Sequence, residues 1–577
     1  MSSITCGDLT LTVSGGCLSA ALAGLPLTEA PLPLVEVWLE GQGTWAGPAM
    51  TWTERHDRAD GWELLSLTGR GGMLQARVDL LAVAGEIRVS CTLTAVWPEG
   101  IPARATLHLP WLAGLRLPGG AERFPAKIWA KESGATALQM KKLCPPPYCL
   151  EDGTGRGLAA YFPLDAANLT WDPCRNLELC DVASRGDMEH HRLHLRLSDA
   201  PVLAADIRLW PLRQGWRECF TRFRDVIRSK VPQGQYARED LHWAREVGLM
   251  HFTYAFSREF FDEKTGRPDV ARLLEAGEAF GGYDALLLWH EYPRLGLDAR
   301  TQWDFYDDYP GGRDELRSLI AQAHARGVKV LLPFKPWDRS PLENDSQTTW
   351  RIAALIGELD VDGIFFDTMN TVPEAFRAAM DAVKPGVVFV TESEPHETRA
   401  LEMITTSWNQ YRTDWPMPES NLIRFLFPQH ARWGISRWHV GAQKDQAIER
   451  AIFNGEGMVI WQDVFGAWLP WAPAQKEEIR RWKALRRRYL PLLETEDCVP
   501  LLTTLSPQVA ANGFFAEDRA IVTLYLDGDG PFDGPLLDHL PYAAAWELRD
   551  NRPVTLQDGV LSGSLQGRRT AMVLLER

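Results

Sequence analysis

Asp362-Gly-Ile-Phe-Phe-Asp367 is a short apolar run that stops on a carboxylate, and Val387-Val-Phe-Val-Thr-Glu392-Ser-Glu394 repeats the pattern one helix further along. Runs this short and this uniformly apolar are strands covered on both faces, and helices between them make such strands parallel. Working outward, Gly248-Leu-Met-His-Phe-Thr-Tyr254, Ala285-Leu-Leu-Leu-Trp289 and Val328-Lys-Val-Leu-Leu-Pro-Phe334 have the same character. Less regular strands are expected near Leu422 to Phe427, Ile435 to Val440 and Gly457 to Gln462. Among the helices, Arg313 to Arg326 carries an apolar stripe of Leu316, Ile320 and Ala323 and ends at Gly327. The count predicts a (β/α)8 TIM barrel over residues 236–495, closed by a helix from Ala474 to Tyr489.

The flanks read differently. Residues 1–235 are short alternating runs broken by Gly, Pro and Asp, such as Leu9-Thr-Leu-Thr-Val13, Ala76 to Val83 and His191 to Leu197, which predict an N-terminal β-sandwich. Residues 496–577 return to strands and turns and predict a small C-terminal β-domain. The whole is a multidomain α/β chain, as 577 residues exceed what one core usually supports.

Composition narrows the partners. A formal net charge of -15 and the lack of a long basic run argue against nucleic acid. No stretch approaches a membrane span, and the start lacks a basic segment followed by an apolar one, which predicts a cytoplasmic protein without a membrane partner. The nine cysteines have no metal-ligand spacing and read as reduced thiols. His251, His290 and His439 are too dispersed for a metal site, so neither metal nor cofactor is expected. The 24 tryptophans suit either large cores or the faces of sugar rings.

Active sites of such barrels lie at the C-terminal strand ends. Alternation puts Gly363, Phe365 and Asp367 on one face, and a helix cap is a poor explanation of Asp367 because the next helix starts only at Pro373. Glu392 and Glu394 share a face of the following strand. Neighbouring strands stand about 4.8 Å apart, which matches the roughly 5 to 5.5 Å between the two carboxyls of retaining glycosidases. In that scheme Asp367 attacks the anomeric carbon while Glu392 or Glu394 donates a proton to the leaving oxygen. The substrate is then a small carbohydrate, bound by polar and aromatic groups at other strand ends. Those groups are Trp289, His290 and Glu291; Lys335, Trp337 and Asp338; Arg412, Asp414 and Trp415; and Asp463. Asp414 is the rival for the acid/base. A transglycosidase on the same scaffold and a carbohydrate-binding barrel without catalysis are the alternatives, and the oligomeric state is left open.

The stretch from Tyr309 through Pro-Gly-Gly-Arg-Asp-Glu-Leu to Leu332, with Val361 to Asp367 and Phe389-Val-Thr-Glu392, resembles the retaining alpha-glycosidase barrels of the alpha-amylase type. That resemblance implies Asp367 as nucleophile and Glu392 as acid/base. Such an amylase would have an arginine where Phe365 stands and an Asn-His pair where Phe334-Lys-Pro-Trp337 follows the third strand. The flanking β-domains look more like melibiase-type alpha-galactosidases and endo-alpha-N-acetylgalactosaminidases. In melibiase-like enzymes the acid/base is a later aspartate, which points to Asp414.

Overall fold

The computed structural model describes residues 1–39, 43–46, 49–72, 74–95, 105–119, 121–122, 148–152, 154–161, 195–197, 202–232, 234–290, 300–395, 398–411, 420, 422–436 and 442–577. The chain divides into two compact units, Met1–Ile227 and Arg228–Arg577. In the first unit the described strands are antiparallel. Its longest sheet runs through Trp62–Gly71, Leu74–Val83 and Glu86–Ala95, joined by tight hairpins, and then Val202–Leu212. The six described cysteines are free thiols, and no described helix is long and apolar enough to cross a membrane.

The second unit is built on a closed barrel of eight parallel strands in sequence order: β1 Leu249–Tyr254, β2 Ala285–Trp289, β3 Lys329–Phe334, β4 Gly363–Phe366, β5 Val388–Thr391, β6 Thr406–Tyr411, β7 Ala431–Ser436 and β8 Gly457–Ile460. Six of these, β1 to β5 and β8, lie where the apolar runs predict them, and β7 meets its expected range, Ile435 to Val440, only at Ile435 and Ser436. The sixth strand lies elsewhere. Leu422–Leu426 is a short helix, with Arg424 donating to the carbonyls of Pro428 and Leu493, and β6 is the more polar Thr406–Tyr411. A short apolar run fits a buried helix as well as a strand. In β6, Ser407 hydrogen-bonds His430 Nε2 at 2.9 Å, and Tyr236 hydrogen-bonds His430 Nδ1 at 3.0 Å. Burial lowers the His430 pKa to about 3, so the ring stays neutral.

The helix Gly312–Ala325 buries Leu316, Leu319, Ile320 and Ala323, and Gly327 ends it at φ 73°. The barrel is fixed at its N-terminal rim by two aspartates that precede strands. Asp284 accepts from Gly248 N at 2.9 Å and Leu249 N at 3.0 Å, and Asp362 accepts from Val330 N at 2.9 Å. Asp362 is therefore a structural residue, although it stands beside the catalytic candidate strand. Burial opposes its charge, but the Val330 N–H, Lys329, Lys384 and His324 hold its carboxyl below the ordinary range. The barrel interior is aromatic: Phe252 stacks on Trp461 at 4.4 Å, Phe365 lies 4.0 Å from Trp408, and Trp289 and Trp433 complete the layer.

After the long helix Pro473–Leu493, the remaining chain forms a sheet with the strand order Asp497–Val499, Val509–Phe515, Arg519–Leu526, Thr570–Glu576, Ala544–Glu547 and Arg552–Pro553. This sheet is tied to the barrel helix Ala442–Asn454. Asn512 and Thr523 donate to the Phe453 carbonyl, and buried Arg549 forks onto Glu449 at 2.7 and 3.0 Å and onto Glu478 at 2.7 Å. Removing one partner of a buried pair leaves an uncompensated charge, which costs about 3–5 kcal/mol. Arg549→Leu is thus expected to lower the urea midpoint followed by tryptophan fluorescence. An unchanged midpoint would show that the clamp contributes nothing.

Candidate active site

Asp367 and Glu392 are the first residues beyond β4 and β5. Phe366 pairs with Thr391 in the parallel ladder, so the two carboxylates leave adjacent strands at the same height. Alternation directs both inward, since Phe365, Val388 and Val390 lie in the barrel core while Phe366 and Phe389 pack on each other outside it. The two side chains hydrogen-bond each other, so the carboxyls stand closer than the roughly 5 to 5.5 Å expected of a retaining pair, and each residue is under a tenth exposed, at 8% and 9%.

Their surroundings differ. Trp337 Nε1 donates to Asp367 Oδ2 at 3.2 Å. The backbone N–H of Thr368 donates to Glu392 Oε2 at 2.7 Å. Thr368 adopts φ 57°, a left-handed conformation rare for a β-branched residue, and this turns its N–H onto the glutamate. Burial first, and then the Glu392 carboxyl, push the Asp367 pKa from 3.8 up to about 7, against the lowering pull of Trp337 and Lys335. Two buried carboxyls in contact share one proton into the neutral range.

Glu394 is placed differently. It forms a buried ion pair with Arg432 of β7, whose Nε also stands 3.7 Å from Glu456. A carboxylate held by an arginine is a poor proton donor. Lys335, fully buried after β3, has its Nζ 3.2 Å from Asp338 Oδ2 and 3.5 Å from His290 Nδ1. Gln302 fixes this turn by accepting from Lys335 N at 2.8 Å and donating to the carbonyls of Lys335 and Asp338. Burial raises the Asp338 pKa and Lys335 partly offsets it.

Of the other expected sugar contacts, Trp337 is 43% exposed beside Asp367, whereas Trp289 is buried in the barrel core against Phe252 and Phe365. Asp463 accepts from Arg258 N at 3.0 Å on the far side of the barrel mouth. Glu291, Arg412, Asp414, Trp415 and His439 lie outside the described residues. His251 is engaged with Glu259 at 2.8 Å, and among the described residues no group of three or more His, Cys, Asp or Glu is arranged to hold a metal ion.

Sequence reading missed Gln302, Thr368 and Arg432. An arginine in the strand Ala431-Arg-Trp-Gly-Ile435 is a legible signal, because a charge inside a barrel strand requires a partner. The conformation of Thr368 has no sequence signature.

The fold and site together define a (β/α)8-barrel protein with a proton-sharing carboxylate pair at its C-terminal face. No protein-family model matches the sequence, and no curated protein matches it either. Among solved structures, the alpha-N-acetylgalactosaminidase NagBb from Bifidobacterium bifidum is similar in fold. It has a TM-score of 0.55 and 11% identity over 90% of this chain and 98% of that one. An alpha-amylase from Lactobacillus plantarum matches 58% of this chain and 99% of its own with a TM-score of 0.42 and 14% identity.

Burial and the neighbouring Glu392 carboxyl raise the Asp367 pKa from the ordinary 3.8 to about 7 in the fold. The stability this provides is complete below pH 4 and is lost as pH rises toward 7, by an amount on the order of a few kcal/mol. Asp367→Asn removes that loss. Its melting temperature is expected to exceed that of the unsubstituted protein at pH 8, with the gap closing by pH 4. Parallel Tm profiles for the two chains across that range would contradict the raised pKa.

Proposed function

We propose that the protein is a retaining glycosidase in which Asp367 is the nucleophile and Glu392 the acid/base. The observation that carries this reading is the contacting, buried pair Asp367–Glu392 at the C-terminal ends of neighbouring barrel strands. Double displacement requires one ionised and one protonated carboxyl within reach of the same glycosidic bond. Here the shared proton belongs on Glu392 when substrate is bound. It passes to the leaving oxygen as Asp367 Oδ attacks the anomeric carbon and the C–O bond breaks. Glu392 then takes a proton from water, whose oxygen displaces Asp367 and frees the sugar.

Trp337 orients the nucleophile through its indole N–H, leaving the other carboxyl oxygen for attack. The Thr368 N–H holds Glu392 toward the bond. Glu394 is assigned to positioning, because Arg432 neutralises it. Lys335, Asp338 and His290 are assigned to the sugar hydroxyls beside Asp367. The deep burial of the pair favours a pocket that takes the end of a short glycoside over an open polymer cleft, and this exo action fits the cytoplasmic placement read from the sequence. The fold shared with NagBb is compatible with an alpha-linked substrate.

Asp367→Asn is expected to lower kcat on aryl alpha-glycosides by about a thousandfold or more. Glu392→Gln should lose about 10²- to 10⁴-fold on poor leaving groups and little on dinitrophenyl glycosides, which need no acid. Glu394→Gln should not show that leaving-group dependence. NMR of the first-formed product should show retained anomeric configuration. Inversion, or full activity in Asp367→Asn, would sink the assignment.

A further inference from the structure

At the end of the barrel away from Asp367 and Glu392, one segment closes the floor. It starts at Tyr236, which hydrogen-bonds His430 between β6 and β7, and reaches β1 through Leu241, Ala244 and Val247, which join the barrel core. Beside it lies a recess of about 200 Å³ whose polar lining is Gln235, His242, Arg245, Thr405, Thr406 and Gln429. Thr406 opens β6 and Gln429 stands two residues before β7, which places the recess at the N-terminal rim. Among the described residues no carboxylate lines it.

The charge behind this lining is unbalanced. Arg245 Nη1 stands 3.6 Å from Glu494 Oε2, and the Arg245 carbonyl accepts from Arg486 Nη2 at 2.7 Å. Arg424, Arg486 and His242 also act on Glu494, so one carboxylate faces three guanidinium groups and an imidazole. Burial holds the Glu494 pKa above its ordinary value in spite of them, which weakens even this counter-charge. The next acids are engaged with other cations. Asp284 takes Lys483 at 3.0 Å and Arg487 at 2.9 Å, and Glu456 stands 3.7 Å from Arg432. Arg486 is 4% exposed, and its Nη1 has no hydrogen-bond partner among the described residues. Buried positive charge in such excess is costly unless an anion joins it.

We propose that the recess binds a phosphoryl oxyanion, either inorganic phosphate or the phosphate end of a sugar phosphate, with Arg245 as its charge partner. Arg245 borders both Glu494 and the recess, and its guanidinium is a planar fork of donors that matches two phosphoryl oxygens. His242, held by its Nε2 donating to the Tyr236 carbonyl at 3.3 Å, stands beside it, and the Gln235 and Gln429 amides supply neutral donors. Three guanidinium groups against one carboxylate favour a dianion over chloride or a simple carboxylate. Such a ligand ties the floor segment to the rim of β6 and β7 and stabilises the folded chain by mass action. The site is independent of the glycosidase reading, since it lies at the rim opposite the carboxylate pair.

Titration calorimetry of the whole chain with sodium phosphate at constant ionic strength is expected to show one equivalent bound, without competition from chloride. About 10 mM phosphate should raise the Tm by about 3 °C over matched chloride. Arg245→Gln and His242→Gln should each bind phosphate at least about tenfold more weakly, and a loss of that size in either supports the site. If Arg245→Gln does not fold, His242→Gln decides alone. A hexose phosphate is the second ligand: tighter binding than phosphate assigns the sugar phosphate, and equal or weaker binding assigns the free ion. The site is overturned if the unsubstituted chain shows neither a heat of binding nor a rise in Tm, or if phosphate affinity survives in both variants.

Discussion

The site depends on one electrostatic constraint: two carboxyls are held in contact where water is largely excluded. Two charges cannot both persist there, so the pair keeps a proton at pH values where exposed carboxylates have none. Everything nearby modulates that proton. The Trp337 indole and the Lys335 ammonium favour charge on Asp367, and the Thr368 N–H supplies one hydrogen bond to Glu392. Glu394, two residues beyond Glu392, is instead paired with Arg432.

Such a pair requires a rigid frame. The ladder fixes Phe366 against Thr391, and a shift of one residue would turn the carboxylate of the displaced strand from the barrel axis toward the helices. The register is held at the opposite rim by Asp284 and Asp362, each taking backbone N–H groups from the preceding strand. It is held inside by large rings, Phe252, Trp289, Phe365, Trp408, Trp433 and Trp461. Stability therefore resides at the N-terminal rim and in the interior, while the C-terminal rim carries strained residues such as Thr368 and Phe465.

The barrel was legible in the sequence because five of its strands are uniformly apolar and bounded by helix and turn signals. Asp367 and Glu392 were legible because they end two of those strands. β6 was hidden by the polarity that Ser407 spends on His430, and the run Leu422–Leu426 imitated a strand because burial on all sides erases periodicity. The abundance of tryptophan has two origins that sequence alone does not separate. Trp289 fills the core, whereas Trp337 reaches the Asp367 carboxylate, and the difference lies in one strand-end turn clamped by Gln302.

The departures from the alpha-amylase pattern have a physical resolution. Where that pattern places an arginine two residues before the nucleophile, Phe365 packs 4.0 Å from Trp408 and carries no charge. Positive charge reaches the site from two other strands instead, through Lys335 after β3 and Arg432 on β7. Lys335 is itself shared with Asp338, so its pull on Asp367 is diluted and burial prevails, which leaves the nucleophile candidate with a pKa of about 7. An arginine at position 365 would both displace an aromatic ring from the barrel interior and hold Asp367 ionised. Its absence therefore favours retention of the shared proton as much as it favours packing, and the same substitution accounts for the aromatic interior and the titration of the site above it.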